Sequence, residues 1–352
     1  GRNTVRRSQM TLPGGKVVDL VYTVDKDASC SRVSRLTSAG VILAGYGYLG
    51  AGRVVRTTHA QPNIASKSFD PSTEDYDGYL DRFNRLVKNV WASTTPNPDV
   101  NFYDVDISYD RNSNITWVED NVHVGFDVKY TMDDLDRLID AEDGTRSGSS
   151  IATRKRHQTW TTLDHVGNWD RSKLDLDGDD NWNETDEYDD TRTNNKVNEL
   201  TARDTDSNGT ANFTLAYDAA GNLTDDAEDY EYEYDAFNRL RKVKNQSATV
   251  LAEYRYNGLG HMIMVHEDTD ADGDADGSDV KFYPAYDEGW REVARYREGD
   301  ASPKEQFVNA MAGLDGYGHS SYINDVVLRD RDNTSGWLAA SDGTLEERYY
   351  LC

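Results

Sequence analysis

The 352-residue chain carries 38 Lys and Arg against 64 Asp and Glu, which gives a formal net charge of −26 at pH 7. This charge argues against nonspecific binding to nucleic acids, because counterion release from a nucleic-acid backbone needs a basic surface. Aromatic residues make up 11% of the chain, a content that disordered chains rarely reach. No run of about 18 apolar residues is present, so we expect no insertion into a membrane.

The start of the chain and its two cysteines say little about structure. The first ten residues lack an initiator Met and an apolar signal core, so we expect either a chain with its signal peptide removed or a segment of a longer polypeptide. Cys30 and Cys352 are too few for a disulfide scaffold and lack metal-site spacing. Free thiols, a bond between the two cysteines and a link between successive subunits all stay open. The composition favours a secreted or cell-surface protein.

Short segments of alternating apolar and polar residues predict β-strands along most of the chain. Tyr230–Tyr234 alternates strictly, and Lys242–Lys244 and Ala252–Tyr256 follow the same pattern. Clusters of Asn and Gly between these segments predict tight turns. Because helical periodicity is scarce, we predict an all-β, antiparallel architecture. It forms one body over residues 1–352, with β repeats that are clearest over 46–265 and continue over 281–352.

An internal repeat is the strongest signal in the sequence. A Tyr is followed by Asp or Asn, and Gly or Asn then precedes a polar residue and an aliphatic one. Tyr can close a strand with its hydroxyl available for a hydrogen bond, Asp can form a turn with its own backbone, and Gly or Asn tolerates the left-handed conformation that follows. Each copy therefore predicts a strand, a tight turn and a strand. Three copies begin at Tyr217, Tyr234 and Tyr256, upstream relatives begin at Tyr109 and Tyr130, and weaker copies begin at Tyr48, Tyr79 and Leu163.

The repeat resembles the YD-repeat, or RHS-repeat, family over roughly residues 20–265, and residues 321–331 and 335–350 resemble late segments of its bacterial members. The resemblance implies a long antiparallel β-sheet strip that spirals into a hollow shell or tube. Members of the family include toxin-encapsulating bacterial proteins and the extracellular adhesion proteins called teneurins. The Asp-Pro-rich motif of the toxin-carrying members is absent from this sequence, so no self-cleaving site and no toxin domain is carried over.

An acidic segment over residues 266–280 has the spacing of a calcium-binding loop. Carboxylates stand at loop positions 1, 3, 5, 9 and 12, and Gly273 stands at position 6, in agreement with the oxygen ligands and the sharp turn that Ca²⁺ sites use. Position 12 is Asp where an EF-hand has Glu, and the alternative is a solvated hairpin tip. The candidate metal ligands are Asp268, Asp270, Asp272, Asp274, Asp276 and Asp279.

A second acidic segment offers a weaker match to the same loop. It has Asp180 where the loop needs Gly, and a solvated loop is again the alternative. Its candidate ligands are Asp175, Asp177, Asp179 and Asp186. A third segment, which begins at Asp204, reaches Leu215 at position 12 and predicts only a turn.

Catalytic motifs are missing from the sequence, so we expect no enzyme activity. The seven His show no zinc spacing, and no GxSxG nucleophile elbow occurs. Gly45–Gly50 satisfies the dinucleotide-binding pattern GxGxxG, but β-branched residues follow where a helix should start. We interpret these glycines as part of a repeat copy.

A β-strip with unpaired strand edges at its ends can join end to end with copies of itself. We therefore expect an extracellular structural or adhesive protein that assembles into a filament, tube or shell, with Ca²⁺ stiffening its acidic loops. One alternative is a shell fragment of a toxin-delivery RHS protein, whose partner is the remainder of a longer RHS chain. Another is a carbohydrate-binding module in which Trp160, Trp169 and Trp182 stack on glycans.

Overall fold

The computed structural model describes residues 6–23, 26–50, 53–66, 78–95, 98–312, 326–333 and 336–351. Within these ranges the chain is almost entirely antiparallel β-sheet, with one short helix, α1 (Lys26–Ser29). The predicted all-β fold is confirmed. None of the helical structure in the described ranges is long and apolar enough to cross a membrane. Cys30 is exposed and carries a free thiol, whereas Cys352 and parts of the predicted late repeats (residues 321–325 and 335) lie outside the described residues.

The described strands pair in chain order within two sheets, so that each strand neighbours the strand before it. The first sheet contains β1 (Gln9–Thr11), β2 (Val17–Val21), β3 (Arg35–Ser38), β4 (Val41–Leu49), β5 (Arg53–His59), β6 (Ile64–Ser66), β7 (Lys88–Ser93), β8 (Val100–Tyr109), β9 (Ile115–Asp120), β10 (Asp127–Met132), β11 (Leu138–Ser147), β12 (Ser150–Leu163), β13 (Trp169–Asp175), β14 (Tyr188–Asn194), β15 (Leu200–Asp204) and β16 (Phe213–Thr214). The second sheet contains β17 (Ala216–Tyr217), β18 (Leu223–Asp225), β19 (Tyr230–Tyr234), β20 (Leu240–Asn245), β21 (Val250–Tyr256), β22 (Met262–Glu267), β23 (Lys281–Tyr286), β24 (Glu292–Arg297), β25 (Glu305–Asn309), β26 (Val326–Arg331) and β27 (Glu347–Tyr350).

The strands predicted from alternation are present. The segment Tyr230–Tyr234 forms β19 with the predicted bounds, and the other two segments lie within β20 and β21. The glycine pattern that begins at Gly45 lies mostly within β4. Its first two glycines are therefore part of a paired strand and not of a phosphate-binding loop.

Many turns of the repeats are held by the side chain of their first residue. In the turn Asp235–Arg239, Oδ1 of Asp235 accepts hydrogen bonds from the backbone N–H of Phe237 at 2.8 Å and of Arg239 at 3.1 Å. Asn238 between them has a φ of 59°, a left-handed conformation that Asn tolerates. In other turns, the side chain of the first residue also accepts a hydrogen bond from the backbone N–H two residues later in the chain. These turns begin at Asp81, Asp110, Asp133, Asp164, Asn195, Asp218, Asn257 and Asp287.

The repeat Tyr ties its turn to the preceding repeat. The hydroxyl of Tyr256 donates to the carbonyl of Leu240 at 2.9 Å, and the guanidinium of Arg239 lies 4.8 Å from the centre of the Tyr256 ring. Tyr109 repeats both contacts, with the carbonyl of Leu86 at 2.7 Å and the guanidinium of Arg85 at 4.5 Å. Because the ring binds a cation and the hydroxyl binds a carbonyl, Phe cannot replace Tyr without loss.

The chain divides into two compact units, of which unit 1 contains the apolar core. Unit 1 comprises Gly1–Lys67, Ser93–Val100 and Glu233–Cys352, and unit 2 comprises Ser68–Ala92 and Asn101–Tyr232. Strands from both sheets, β2–β4 and β24–β26, contribute to the core of unit 1. The core residues are Leu12, Val18, Leu20, Val33, Leu36, Leu43, Ala44, Val293, Val308, Ala310, Met311, Val327 and Leu328.

Unit 1 also buries charged side chains that form ion pairs. The Lys304 ammonium is fully buried and lies 3.3 Å from a carboxylate oxygen of Asp332. The buried carboxylate of Asp330 pairs with Lys16 and, at 2.7 Å, with Arg348. Burial opposes ionisation of Asp330, but the hydrogen bonds from these two cations lower its pKa below the ordinary value. These ion pairs therefore join residues that are far apart in sequence.

Candidate metal centre

The first acidic loop, residues 268–279, joins β22 to β23 in unit 1. Asp279 near its end is only 4% exposed. Its carboxylate accepts hydrogen bonds from the backbone N–H of Thr269 at 2.6 Å and of Asp276 at 2.8 Å. Burial alone would raise the pKa of Asp279, but these amide donors lower it to about 2. The loop is thus organised around an ionised carboxylate.

Five of the six predicted ligands in this loop come together in two groups that share Asp279. Carboxylate oxygens of Asp268, Asp270 and Asp279 lie within 4.8 Å of one another, and so do those of Asp274, Asp276 and Asp279. One oxygen each of Asp268 and Asp274 is shielded from solvent without a hydrogen-bond partner among the described residues. A shielded, unpaired carboxylate oxygen is costly, and Ca²⁺ binds oxygens at 2.3–2.6 Å. These oxygens therefore suit a hard cation.

Asp272, the sixth predicted ligand of this loop, lies outside both groups. A hydrogen bond from the backbone N–H of Asp274 lowers the pKa of Asp272, but burial and the charges of Asp270, Asp274 and Asp268 outweigh it and raise the pKa. Gly273 has a φ of 104°, so the sharp turn predicted at loop position 6 is present. The raised pKa of Asp272 therefore reflects burial together with repulsion from the neighbouring carboxylates.

The second acidic loop follows β13 in unit 2 and uses a different set of acids. Asp175 is fully buried, and its carboxylate accepts from the backbone N–H of Asp177 at 3.1 Å and of Asp180 at 2.6 Å. Oxygens of Asp175, Asp177 and Glu187 lie within 4.8 Å of one another, whereas Asp179 and Asp186 are not in this group. Sequence reasoning missed Glu187, which stands one position beyond the loop pattern and carries a longer side chain that can reach back.

This second loop is fastened to β12. The carboxylate of Asp180 lies 2.5 Å from a guanidinium nitrogen of Arg154 and 3.0 Å from Nδ1 of His157. Gly178 has a φ of 84°, and a Cβ atom there would lie 2.6 Å from the carbonyl carbon of Arg154, so only Gly fits. A hydrogen bond to Asp140 raises the pKa of His157 despite burial, and Asp180 adds to this rise.

Three other acidic groups in the described part of the chain already have partners within the protein. Asp140, Glu142 and His157 form a further group, but Lys129 at 2.9 Å and Arg154 at 2.8 Å already pair with Glu142. A group of Asp332, Asp342 and Glu346 includes the partner of the buried Lys304. Asp204, in the third acidic segment, accepts from the backbone N–H of Gly209 at 2.7 Å, as expected for a turn.

The three Trp side chains predicted to stack on glycans have different surroundings. The ring of Trp169 is covered by the guanidinium of Arg192 at 3.6 Å, and Trp182 packs on the ring of His157 and below the ammonium of Lys173. Trp160 lines a cavity in unit 2. Two of the three rings are therefore engaged within the protein.

Comparison with known proteins identifies a fold relationship. No family model and no curated protein matches this sequence. A structure of the Photorhabdus luminescens Tc holotoxin pore with a mutated TccC3 aligns with 87% of this chain and 16% of its own, at a TM-score of 0.55 and 17% identity. A crystal structure of TcdB2–TccC3 aligns with 90% of this chain and 17% of its own, at a TM-score of 0.54 and 16% identity.

The fold match to these structures is consistent with an RHS-type family. The present chain spans about one sixth of their length. At this level of identity the likeness shows the fold and not the activity. The resemblance inferred from the YD repeats thus agrees with the three-dimensional comparison.

Proposed function

We propose that this chain is a segment of the wall of an RHS-repeat shell in a toxin-delivery protein. The observation that carries the proposal is the alignment of 87–92% of the chain with part of a Tc toxin chain. The order of strands, in which each pairs with the previous one, suits a wall that is extended by adding repeats. The self-assembling adhesive filament expected from the sequence stays a prediction, because no comparison or contact supports it over the shell.

The role that we assign to the segment is mechanical. A wall must keep its neighbouring repeats together. Contacts between repeats supply this cohesion through Tyr hydroxyls and Arg guanidinium groups. The net charge of −26 opposes clumping of such walls by self-repulsion. We place the shell outside the cytoplasm and assign no enzyme activity to this segment.

The reading frame that encodes this chain provides a direct test. If the segment belongs to a toxin-delivery shell, sequencing of the complete frame will find further YD repeats, an Asp-Pro-rich motif and a distinct C-terminal domain. A frame that encodes this segment alone would contradict the proposal. Frames from related strains serve as the control, because the C-terminal domain should differ among them while the repeats persist.

We also propose that the loop 268–279 binds Ca²⁺ and that the ion stiffens this part of the wall. The support is the pair of carboxylate groups that share Asp279 and the shielded oxygens of Asp268 and Asp274. Calorimetric titration of Ca²⁺ into chelator-treated protein should release or absorb heat. The heat of this site should disappear in Asp268→Asn/Asp274→Asn. The matched control Asp175→Asn, in the second loop, should leave it intact, and no heat from the wild-type protein would refute the site.

A further inference from the structure

Several turns of unit 2 have no Tyr before their first residue, and the one that follows Leu163 has a cavity beside that position. The weak copy at Leu163 has Leu where the copies at Tyr109, Tyr217 and Tyr234 have Tyr immediately before the turn Asp. A cavity of about 460 Å³ lies next to Leu163, within the size range of small-ligand pockets. Its wall includes Asp133, Arg137, Ile139 and Trp160.

The turn that precedes this cavity is built like the turns that hold a Tyr ring. Nε of Arg137 donates to Asp133 at 2.7 Å, as Nε of Arg85 donates to Asp81 at 2.7 Å. A second nitrogen of Arg137 donates to the carbonyl of Asp164, the first residue of the next turn. Arg85 and Arg239 make the same kind of bond to the next turn at 3.2 Å and 3.0 Å. The guanidinium of Arg137 is thus held in the same way as those of Arg85 and Arg239, which lie over Tyr rings.

What differs is the group that faces this guanidinium. Elsewhere the Tyr ring lies below the guanidinium, and its hydroxyl reaches the carbonyl of the residue after the Arg, as in the Arg85–Tyr109–Leu86 contact. His261 replaces Arg in another copy and still stacks on Tyr286, whose hydroxyl donates to the carbonyl of Met262 at 2.9 Å. The corresponding carbonyl here belongs to Leu138, and Leu163 has neither a ring nor a hydroxyl to offer.

The remaining walls of the cavity favour an aromatic guest. Trp160 supplies an aromatic surface, and Thr159 and Thr161 supply small polar groups at the rim. Thr162, also in the wall, has a φ of 59°, which is an unfavourable conformation for a β-branched residue. Such local strain often accompanies binding sites. The cavity therefore combines a cation face with an aromatic wall. The carbonyl of Leu138 follows Arg137 in the chain as the carbonyl of Leu86, which accepts the Tyr109 hydroxyl, follows Arg85.

We propose that this cavity binds a phenol group, either of a small hydroxyaryl molecule or of a tyrosine side chain from another polypeptide. The guest ring lies against the guanidinium of Arg137 and the indole of Trp160, and its hydroxyl donates to the carbonyl of Leu138. The guest takes the place that Tyr109 occupies below Arg85 and Tyr256 below Arg239.

Titration followed by NMR tests the proposal, with the indole N–H of Trp160 as the reporter and Trp160→Phe to assign it. The probes are p-cresol, N-acetyltyrosinamide, toluene and methyl α-glucoside. We expect saturable shifts with p-cresol, and about tenfold weaker binding of toluene because it cannot make the hydrogen bond. Saturation by N-acetyltyrosinamide would extend the site to tyrosine side chains, and its failure beside p-cresol binding would limit the guest to small hydroxyaryl molecules.

Variants at Leu163 provide the matched control. Leu163→Tyr should fill the cavity with the missing ring and abolish p-cresol binding, whereas Leu259→Tyr, which adds a tyrosine at an exposed position of unit 1, should not change it. Equal binding of toluene and p-cresol to the wild-type protein would overturn the proposal. So would saturation by methyl α-glucoside in preference to p-cresol, or no saturable shift with any probe. These wild-type results do not depend on whether Leu163→Tyr folds, or on whether the chain belongs to a shell.

Discussion

Unit 1 and unit 2 are built from the same kind of antiparallel sheet but bury different chemistry. Unit 1 has a contiguous core of thirteen aliphatic, Ala and Met side chains. In the described part of unit 2, the buried apolar side chains are Val90, Ala92 and Val105. The same part buries more carboxylates than apolar groups, namely those of Asp127, Asp175, Asp189, Asp190 and Asp204.

The buried acids of unit 2 show how a sheet can be stabilised with few apolar residues. Asp127 accepts from the backbone N–H of Asp120 at 3.0 Å and of Arg146 at 2.8 Å, so it joins the ends of neighbouring strands. A hydrogen bond to a charged group contributes about 1.5–3 kcal/mol. A repeat that is held by such bonds tolerates the low apolar content of 37%. Unit 1 is therefore stabilised mainly by apolar packing, and unit 2 by hydrogen bonds from the backbone to buried carboxylates.

The largest effect is expected from a cavity in the core of unit 1. Leu328 is fully buried, and Leu328→Ala should lower the free energy of unfolding by about 2–5 kcal/mol. Leu259 is 68% exposed, and Leu259→Ala should change the free energy of unfolding by less than about 0.5 kcal/mol. Urea denaturation measures both. Similar losses in the two variants would contradict the assignment of the core.

A smaller loss of stability is expected when a buried carboxylate of unit 2 is removed. Asp127→Ala leaves the N–H groups of Asp120 and Arg146 without their acceptor, which should cost about 1–3 kcal/mol. The exposed Asp134 gives the control variant Asp134→Ala, with little change expected. Hydrogen exchange of the two amides locates the effect. Unchanged protection in Asp127→Ala would show that the carboxylate does not hold these strands.

Loss of one Tyr hydroxyl should have a more modest effect. Tyr109→Phe keeps the ring below the Arg85 guanidinium and removes the bond to the carbonyl of Leu86. We expect a loss of about 0.5–1.5 kcal/mol in thermal or urea unfolding. Tyr103→Phe, at an exposed position of β8, is the matched control. If both variants unfold alike, the hydroxyl does not tie the repeats together.

The smallest effect on stability is expected only at acidic pH. It tests whether unit 1, like unit 2, is stabilised by a carboxylate that accepts hydrogen bonds from the backbone. The pKa of Asp279 is about 2, below its ordinary value of 3.8. Its ionised form therefore stabilises the fold above about pH 4, and this contribution is lost as the pH falls through about 2. Carbon-detected NMR of the carboxyl group in chelator-treated protein gives the midpoint directly. A midpoint near 4 would show that the loop does not hold the carboxylate.

Local features could be predicted from the sequence, and long-range ones could not. Alternation predicts the strand Tyr230–Tyr234 because every second side chain shares a face, and the turn that begins at Asp235 follows from the preference of Asp for local bonds. The pairing of Lys16 with Asp330 has no local signal, since it depends on how distant strands pack. Glu187 was missed for a related reason, because its position relative to Asp175 is set by the path of the loop.

The cavity at Leu163 illustrates the same boundary. The sequence identifies this copy as a weak repeat that lacks Tyr, but not whether the missing ring leaves space or the strands close over it. The position of Trp160 and the orientation of Arg137 decide this. Both depend on the register between β11 and β12, which the repeat pattern does not specify.

The most direct test of the proposed shell is cryo-electron microscopy of the intact polypeptide isolated from its native source. The proposal predicts a hollow particle whose wall is a continuous β-sheet, with the strands of this segment within the wall. A filament built from copies of this segment, or a solid particle without an internal space, would contradict it.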